Sequence, residues 1–250
     1  MRSLPDSPTL LALWERGERE HPVDRALTIL EAFTGESRDT LAWLAIRRRD
    51  ALLIASRVAA FGPLVEGVAE CEACACKLDT RVDLSVHASL NADEAAASDR
   101  GTVEVAGRTI AFRLPDSRDL ASIVHCAEPG AAARALVARC IEVDEANDAI
   151  DAIDANGPRE VDPSVIEAVG DAIERLSDAS SIELAMTCPD CGHALRFAVD
   201  IGEFLWDELS ARARHLIEDV DVLASAYGWS EAAILALPDA RRRRYLELLR

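Results

Sequence analysis

No stretch of this chain offers about 18 consecutive uncharged apolar residues, the least that a membrane-spanning helix needs. The opening segment MRSLPDSPTLLALWERGERE breaks its apolar run with prolines and charges and lacks the layout of a signal peptide. Both absences predict a soluble, cytoplasmic protein with no membrane partner. The short motifs of familiar catalysts are missing too: there is no Walker loop, no GxSxG elbow, no HExxH pair and no GxGxxG turn after a strand. His21, His87, His125 and His215 are scattered over different predicted elements and suit surface or packing roles better than that of a base. Basic residues are scarce, with 27 Lys+Arg against 45 Asp+Glu, a formal charge of -18 and a pI near 4.6. Such a surface repels phosphate backbones, so nucleic acid is not an expected partner, and nothing suggests a small-molecule substrate.

Apolar material is plentiful. Of 250 residues, 50% are hydrophobic, enough for one large domain or two small ones. Residues 1–66 read as helices: Ser7-Pro8 suits a helix start before TLLALWERG, Val23, Leu27 and Leu30 share one face, and a third helix runs from about Asp39 to Gly62-Pro63. On that helix Arg47 to Arg49 read as a solvated face. Residues 67–116 change to period two, with Val82, Leu84 and Val86 alternating with Asp83, Ser85 and His87, and residues 102–114 read as a hairpin. Residues 117–180 form a helical insertion whose acidic middle, EVDEANDAIDAIDANGPREVDP, reads as a mobile loop. Residues 181–203 return to strands, carrying Ile182, Leu184 and Met186, then Leu195, Phe197 and Val199. Residues 204–250 begin as a long helix striped by Leu205, Leu209, Leu216 and Leu223 and end in two short helices.

The cysteines supply the chemistry. Seven is an odd number, and a cytoplasmic setting disfavours disulfides, so cysteine pairs spaced by two point to metal or redox work. CEACACKLDTRVDL and CPDCGHALRFAVDI each place such a pair ahead of a period-two strand. That is the plan of a zinc ribbon, in which Cys71, Cys74, Cys188 and Cys191 give four thiolates to one structural Zn2+. Over a hundred residues separate the pairs, and the helical insertion accounts for this if strands on its two sides pair. Cys76 could replace Cys74, and His193 could be a ligand or sit on the knuckle surface; buried free thiols and a redox dithiol are the competing readings. Cys126 and Cys140 read as small buried hydrophobes of the insertion helices. Four thiolates leave no position for water or substrate, so the ion is expected to be structural and the chain not an enzyme. The fold class is then α+β: a small antiparallel zinc-ribbon-like sheet flanked by N-terminal and C-terminal helices, with a helical insertion between the two knuckles.

In the closing segment Ser230 caps a short helix and Pro238-Asp239 starts another. The charge balance counts against a helix-turn-helix, and Arg241 to Arg244 read as a solvated or partner-facing rim. The blocks LWERGEREHPVDRAL, SRVAAFG, FRLPDSRDL, LAMTCPDCGH, IGEFLWDEL and AYGWSEAAILALPDARRRRYLELL resemble a family of phage-like baseplate proteins. These are the T-even-type baseplate hub assembly chaperones of contractile tails and contractile injection systems, and the resemblance spans nearly the whole chain. It implies a non-enzymatic role in assembling, or forming part of, the hub that joins tail tube to piercing tip, with hub, tube or spike proteins as partners. Within that reading the candidate partner surface is Tyr227, Trp229, Ile234, Leu235, Tyr245, Leu246 and Leu249, and removing residues 228–250 is expected to spare fold and zinc while abolishing hub binding. The alternative is a zinc-ribbon regulatory or nucleic-acid-associated adaptor, whose basic patch would come from Arg47 to Arg49 and Arg241 to Arg244.

Overall fold

Helix starts in this protein are written in its polar residues. In the computed structural model, which describes residues 4–85, 98–142, 161–177 and 182–249, α1 (Ser7–Gly17) is capped by Asp6, α2 (Pro22–Thr34) by His21 and α3 (Arg38–Ala42) by Ser37, each side chain accepting a backbone N–H of the first turn. Prolines in the first turn of α1 and α2 occupy positions whose N–H has no helical partner. The single helix expected from Asp39 to Gly62 is two, because the chain breaks at Trp43 and restarts as α4 (Ile46–Phe61). At the break Ala45 bridges to Asp116, and the Ile46 N–H donates to the Pro115 carbonyl.

Three antiparallel hairpins follow, β1 (Leu64–Glu70) with β2 (Lys77–Asp83), β3 (Arg100–Val105) with β4 (Arg108–Arg113), and β5 (Ile182–Thr187) with β6 (Ala194–Val199). They are separate two-stranded sheets among the described residues, so the strands flanking the insertion do not join into one sheet. The insertion adds α5 (Ser117–Ile123), α6 (Pro129–Cys140) and α7 (Pro163–Ser177), and the chain closes with α8 (Ile201–Tyr227), α9 (Glu231–Leu235) and α10 (Asp239–Glu247). Val86, His87 and most of the acidic stretch lie outside the described residues.

The main core gathers α1, α2, α4 and α8, with Phe33, Ile29, Leu30, Leu53, Leu205 and Leu209 fully buried. Trp206 of α8 packs against Gly17, where an added Cβ would meet the indole ring at 2.4 Å, so a glycine is needed there. A smaller core packs Ile110 and Phe112 of β4 against Val169 and Ala172 of α7 in the insertion. The start of α4 meets the segment around Asp99 and Pro115, which corrects the expected solvated face. Arg47 and Arg49 are each only 8% exposed; Arg47 and Arg48 both reach Asp99, and Arg49 pairs with Asp50. Guanidiniums go under a packed element when carboxylates meet them there. Cys140 is buried as expected, whereas Cys126 is exposed, because it falls in the connection after α5 and not on a helix face.

Candidate metal centre

Each cysteine pair occupies a six-residue knuckle that joins two strands of a hairpin. Glu70 pairs with Lys77 across the first, and Thr187 with Ala194 across the second. A constant shift of 117 residues relates them, taking Cys71 to Cys188, Cys74 to Cys191, Leu78 to Leu195, and the pair Val65–Val82 to Ile182–Val199. The backbone repeats as well. The Cys71 N–H donates to the Cys76 carbonyl at 2.9 Å and the Ala75 N–H to the Cys71 carbonyl at 2.8 Å. In the second knuckle the Cys188 N–H donates to the His193 carbonyl at 2.8 Å and the Gly192 N–H to the Cys188 carbonyl at 2.9 Å. The residue after the second cysteine is left-handed in both, Ala75 at φ 57° and Gly192 at φ 73°.

The hairpins meet through side chains instead of a shared ladder, with Cys71, Leu78, Cys188 and Leu195 forming a small buried core. This brings four sulfurs within 4.8 Å of one another. Cys71 Sγ lies 3.7 Å from Cys191 Sγ, and Cys74 Sγ lies 3.6 Å from Cys188 Sγ. A tetrahedral ion with bonds of about 2.3 Å holds its sulfurs about 3.8 Å apart, so the spacing fits a four-thiolate metal. The crossed pairing, first cysteine of one knuckle with second of the other, is what a local two-fold relation between the hairpins produces.

Four thiols this close compete for charge. Cys188 is drawn down to about 7, chiefly by the N–H of Cys191 and then that of Asp190, against the effect of burial. Cys74 is pushed up to about 12: the Cys76 N–H pulls it down, but the Cys191, Cys188 and Cys71 sulfurs and burial together outweigh that pull. A central cation would remove the conflict, since every sulfur could then ionise. Cys76 and His193 stand outside the cluster. Cys76 Sγ donates to the Lys77 carbonyl at 3.5 Å, and the exposed His193 serves the knuckle through its backbone carbonyl. The carbonyl at the sixth position was not a residue-type signal, so the sequence left both as open alternatives.

The structure splits the proposed C-terminal surface. Tyr227 stacks on Trp229 with centroids 4.7 Å apart, and Tyr245 meets the Trp229 ring edge-on at 4.9 Å. Tyr227 and Leu249 are exposed and Trp229, Tyr245 and Leu246 half-buried. Ile234 and Leu235 instead face inward at 0% and 9% exposure. Arg242 is also inward, 1% exposed, held by Asp219, Asp239 and the Ser7 hydroxyl. Amphipathic periodicity marks an apolar face without saying what covers it; here the chain's own α8 does. Removing residues 228–250 would therefore strip core contacts, contrary to the expectation that the fold would be spared.

Two knuckles thus bring four cysteine sulfurs together in a site that could hold a metal ion. Residues 8–206 match the family model described as T4 bacteriophage base plate protein, and the chain belongs to that family. It is thereby a phage baseplate protein, and its family implies assembly with other baseplate proteins. No curated protein and no solved structure matches the chain. The matched span contains both knuckles and ends inside α8, leaving α9 and α10 beyond it. No helix among the described residues is long and apolar enough to cross a membrane.

Proposed function

We propose that this protein is a non-enzymatic, zinc-stabilised component or assembly chaperone of the baseplate hub in a phage-like contractile tail or contractile injection system. The observation that carries this reading is the family match over residues 8–206, which encloses the four-cysteine cluster. Cys71, Cys74, Cys188 and Cys191 hold the ion. Zinc suits them because it is redox-inert and satisfied by four sulfurs, and a filled coordination sphere supplies rigidity instead of Lewis acidity. Hub, tube or spike proteins dock on the exposed part of the C-terminal segment, where Tyr227, Trp229, Tyr245, Leu246 and Leu249 lie beside Arg241, Arg243 and Arg244. The adaptor alternative is weakened because Arg47 to Arg49 are engaged in ion pairs and Arg242 is buried.

Affinity purification of the tagged chain from its host, followed by mass spectrometry, tests the partner assignment. Recovery of hub, tube or spike proteins, lost in Tyr227→Ala combined with Leu249→Asp, is the expected result. Recovery of polymerase or DNA instead would overturn it. Metal analysis of the same preparation should give about one zinc per chain.

A further inference from the structure

A second site lies away from the cysteines, between the end of α1, the turn into α2 and the middle of α8. It is an open cleft of ≈ 540 Å³ walled by Trp14 and Trp206 and edged by Arg19, Arg25 and Arg214, with Glu18 its one carboxylate. Arg25 is spent on structure: its guanidinium lies 4.6 Å over the Trp206 ring and bonds the Gly17 and Glu20 carbonyls and Glu203. Arg19 and Arg214 are different. In a chain of charge -18, where arginines are commonly held in ion pairs, neither has a carboxylate within ion-pair distance among the described residues, and Arg214 commits only its Nε, to the Ser210 carbonyl at 3.2 Å. Ser210 also lines the cleft. It is 2% exposed, and its Oγ has no hydrogen-bond partner among the described residues.

A buried hydroxyl without a partner is costly, and such groups in native proteins are nearly always satisfied by something. Two guanidiniums without a carboxylate partner, lining one cleft with an unsatisfied hydroxyl, offer the donors of an oxyanion receptor. The indole walls add a requirement: a ligand that fills the cleft brings apolar stem as well as charge. We propose that this cleft binds a protein carboxylate, an acidic side chain or chain end of a neighbouring baseplate protein, with Arg19 and Arg214 pairing the anion and Ser210 donating to it. The nature of the donor rests on the baseplate assignment; the anion site itself does not.

The test uses the full chain and acetyl-trialanine, whose only charge is its chain-end carboxylate, at fixed ionic strength with tryptophan fluorescence as readout. Saturable binding is expected, absent for the corresponding amide and weakened about tenfold or more by Arg19→Ala or Arg214→Ala, the loss of one charge-assisted bond. Ser210→Ala should weaken binding without lowering the melting midpoint, a split that a purely structural serine would not give. Arg108→Ala, an exposed arginine at the β3–β4 turn, should bind like the parent. Binding of the amide as strong as that of the acid, or unchanged binding in both arginine variants, overturns the site. Tighter binding of inorganic phosphate than of the peptide overturns the carboxylate assignment in favour of a free anion. Because no partner protein is needed, failure here is separable from failure of the hub reading, which the host purification decides.

Discussion

The two knuckle hairpins share a backbone and differ in most side chains outside the CxxC pairs. Position for position, Val65 corresponds to Ile182, Thr80 to Phe197, Lys77 to Ala194 and Ala75 to Gly192, while the two CxxC cysteines of each loop, Glu66/Glu183, Leu78/Leu195 and Val82/Val199 are kept. The comparison separates what the centre requires from what it tolerates. It requires two sulfurs per loop, a left-handed residue after the second, and one apolar residue in each returning strand to close the small core under the sulfurs. The four-residue core under the sulfurs is small, the hairpins also enter the helical core through Val65 and Ile182, and a metal held by the four thiols would add further cohesion.

The largest test of that equivalence removes a ligand. Cys71→Ser and Cys188→Ser, both buried in the parent, should each abolish zinc binding and lower the melting midpoint alike, an effect bounded by the roughly 10–16 kcal/mol that structural zinc contributes in small peptides. Metal analysis with calorimetry reads both quantities, and retention of one zinc by either variant would break the four-thiolate assignment. Next comes the unequal pair at the strand centre. Phe197→Ala should cost about 2–3 kcal/mol, because the half-buried ring packs on the knuckle core, whereas Thr80→Ala should cost about 1 kcal/mol, the worth of its hydroxyl bond to the Gly67 carbonyl. Denaturant melts of the two proteins give the difference.

A control outside the repeat is Asp119, 1% exposed in the α5 capping box and paired with Arg113 and Arg139. Asp119→Asn should cost about 1–3 kcal/mol without changing zinc content. Burial raises the carboxyl's pKa, but hydrogen bonds and charge from Arg113, the Asp116 N–H and Arg139 hold it below its ordinary value. The stabilisation is accordingly complete above the unfolded value near about 3.9 and is lost as pH falls through the lower folded value. A parent-minus-variant stability difference that grew on acidification would contradict this. The smallest effect is the sharpest comparison: Ala75→Gly should stabilise and Gly192→Ala destabilise, each by about 1 kcal/mol, because only glycine enters the left-handed region without strain.

Much of this was legible in the residues. The four clustered cysteines, the helix starts and the hairpins follow from local rules, since a CxxC loop, a capping side chain and a period-two strand each act over a few residues. β1 escaped notice because its inward face carries Val65, Gly67 and Ala69 while Leu64 and Val68 point outward, which blurs the alternation. The joining of two knuckles across the insertion was readable as chemistry, because half a tetrahedral site has no use alone. What only the tertiary structure decided is which faces are covered. Arg47, Arg49 and Arg242 go under, Ile234 and Leu235 join the core, Arg19 and Arg214 find no carboxylate partner among the described residues, and the hairpins touch by side chains and not by a ladder. Charge and amphipathicity give a residue its preference, but burial depends on the element that happens to lie across from it, and that neighbour is distant in sequence.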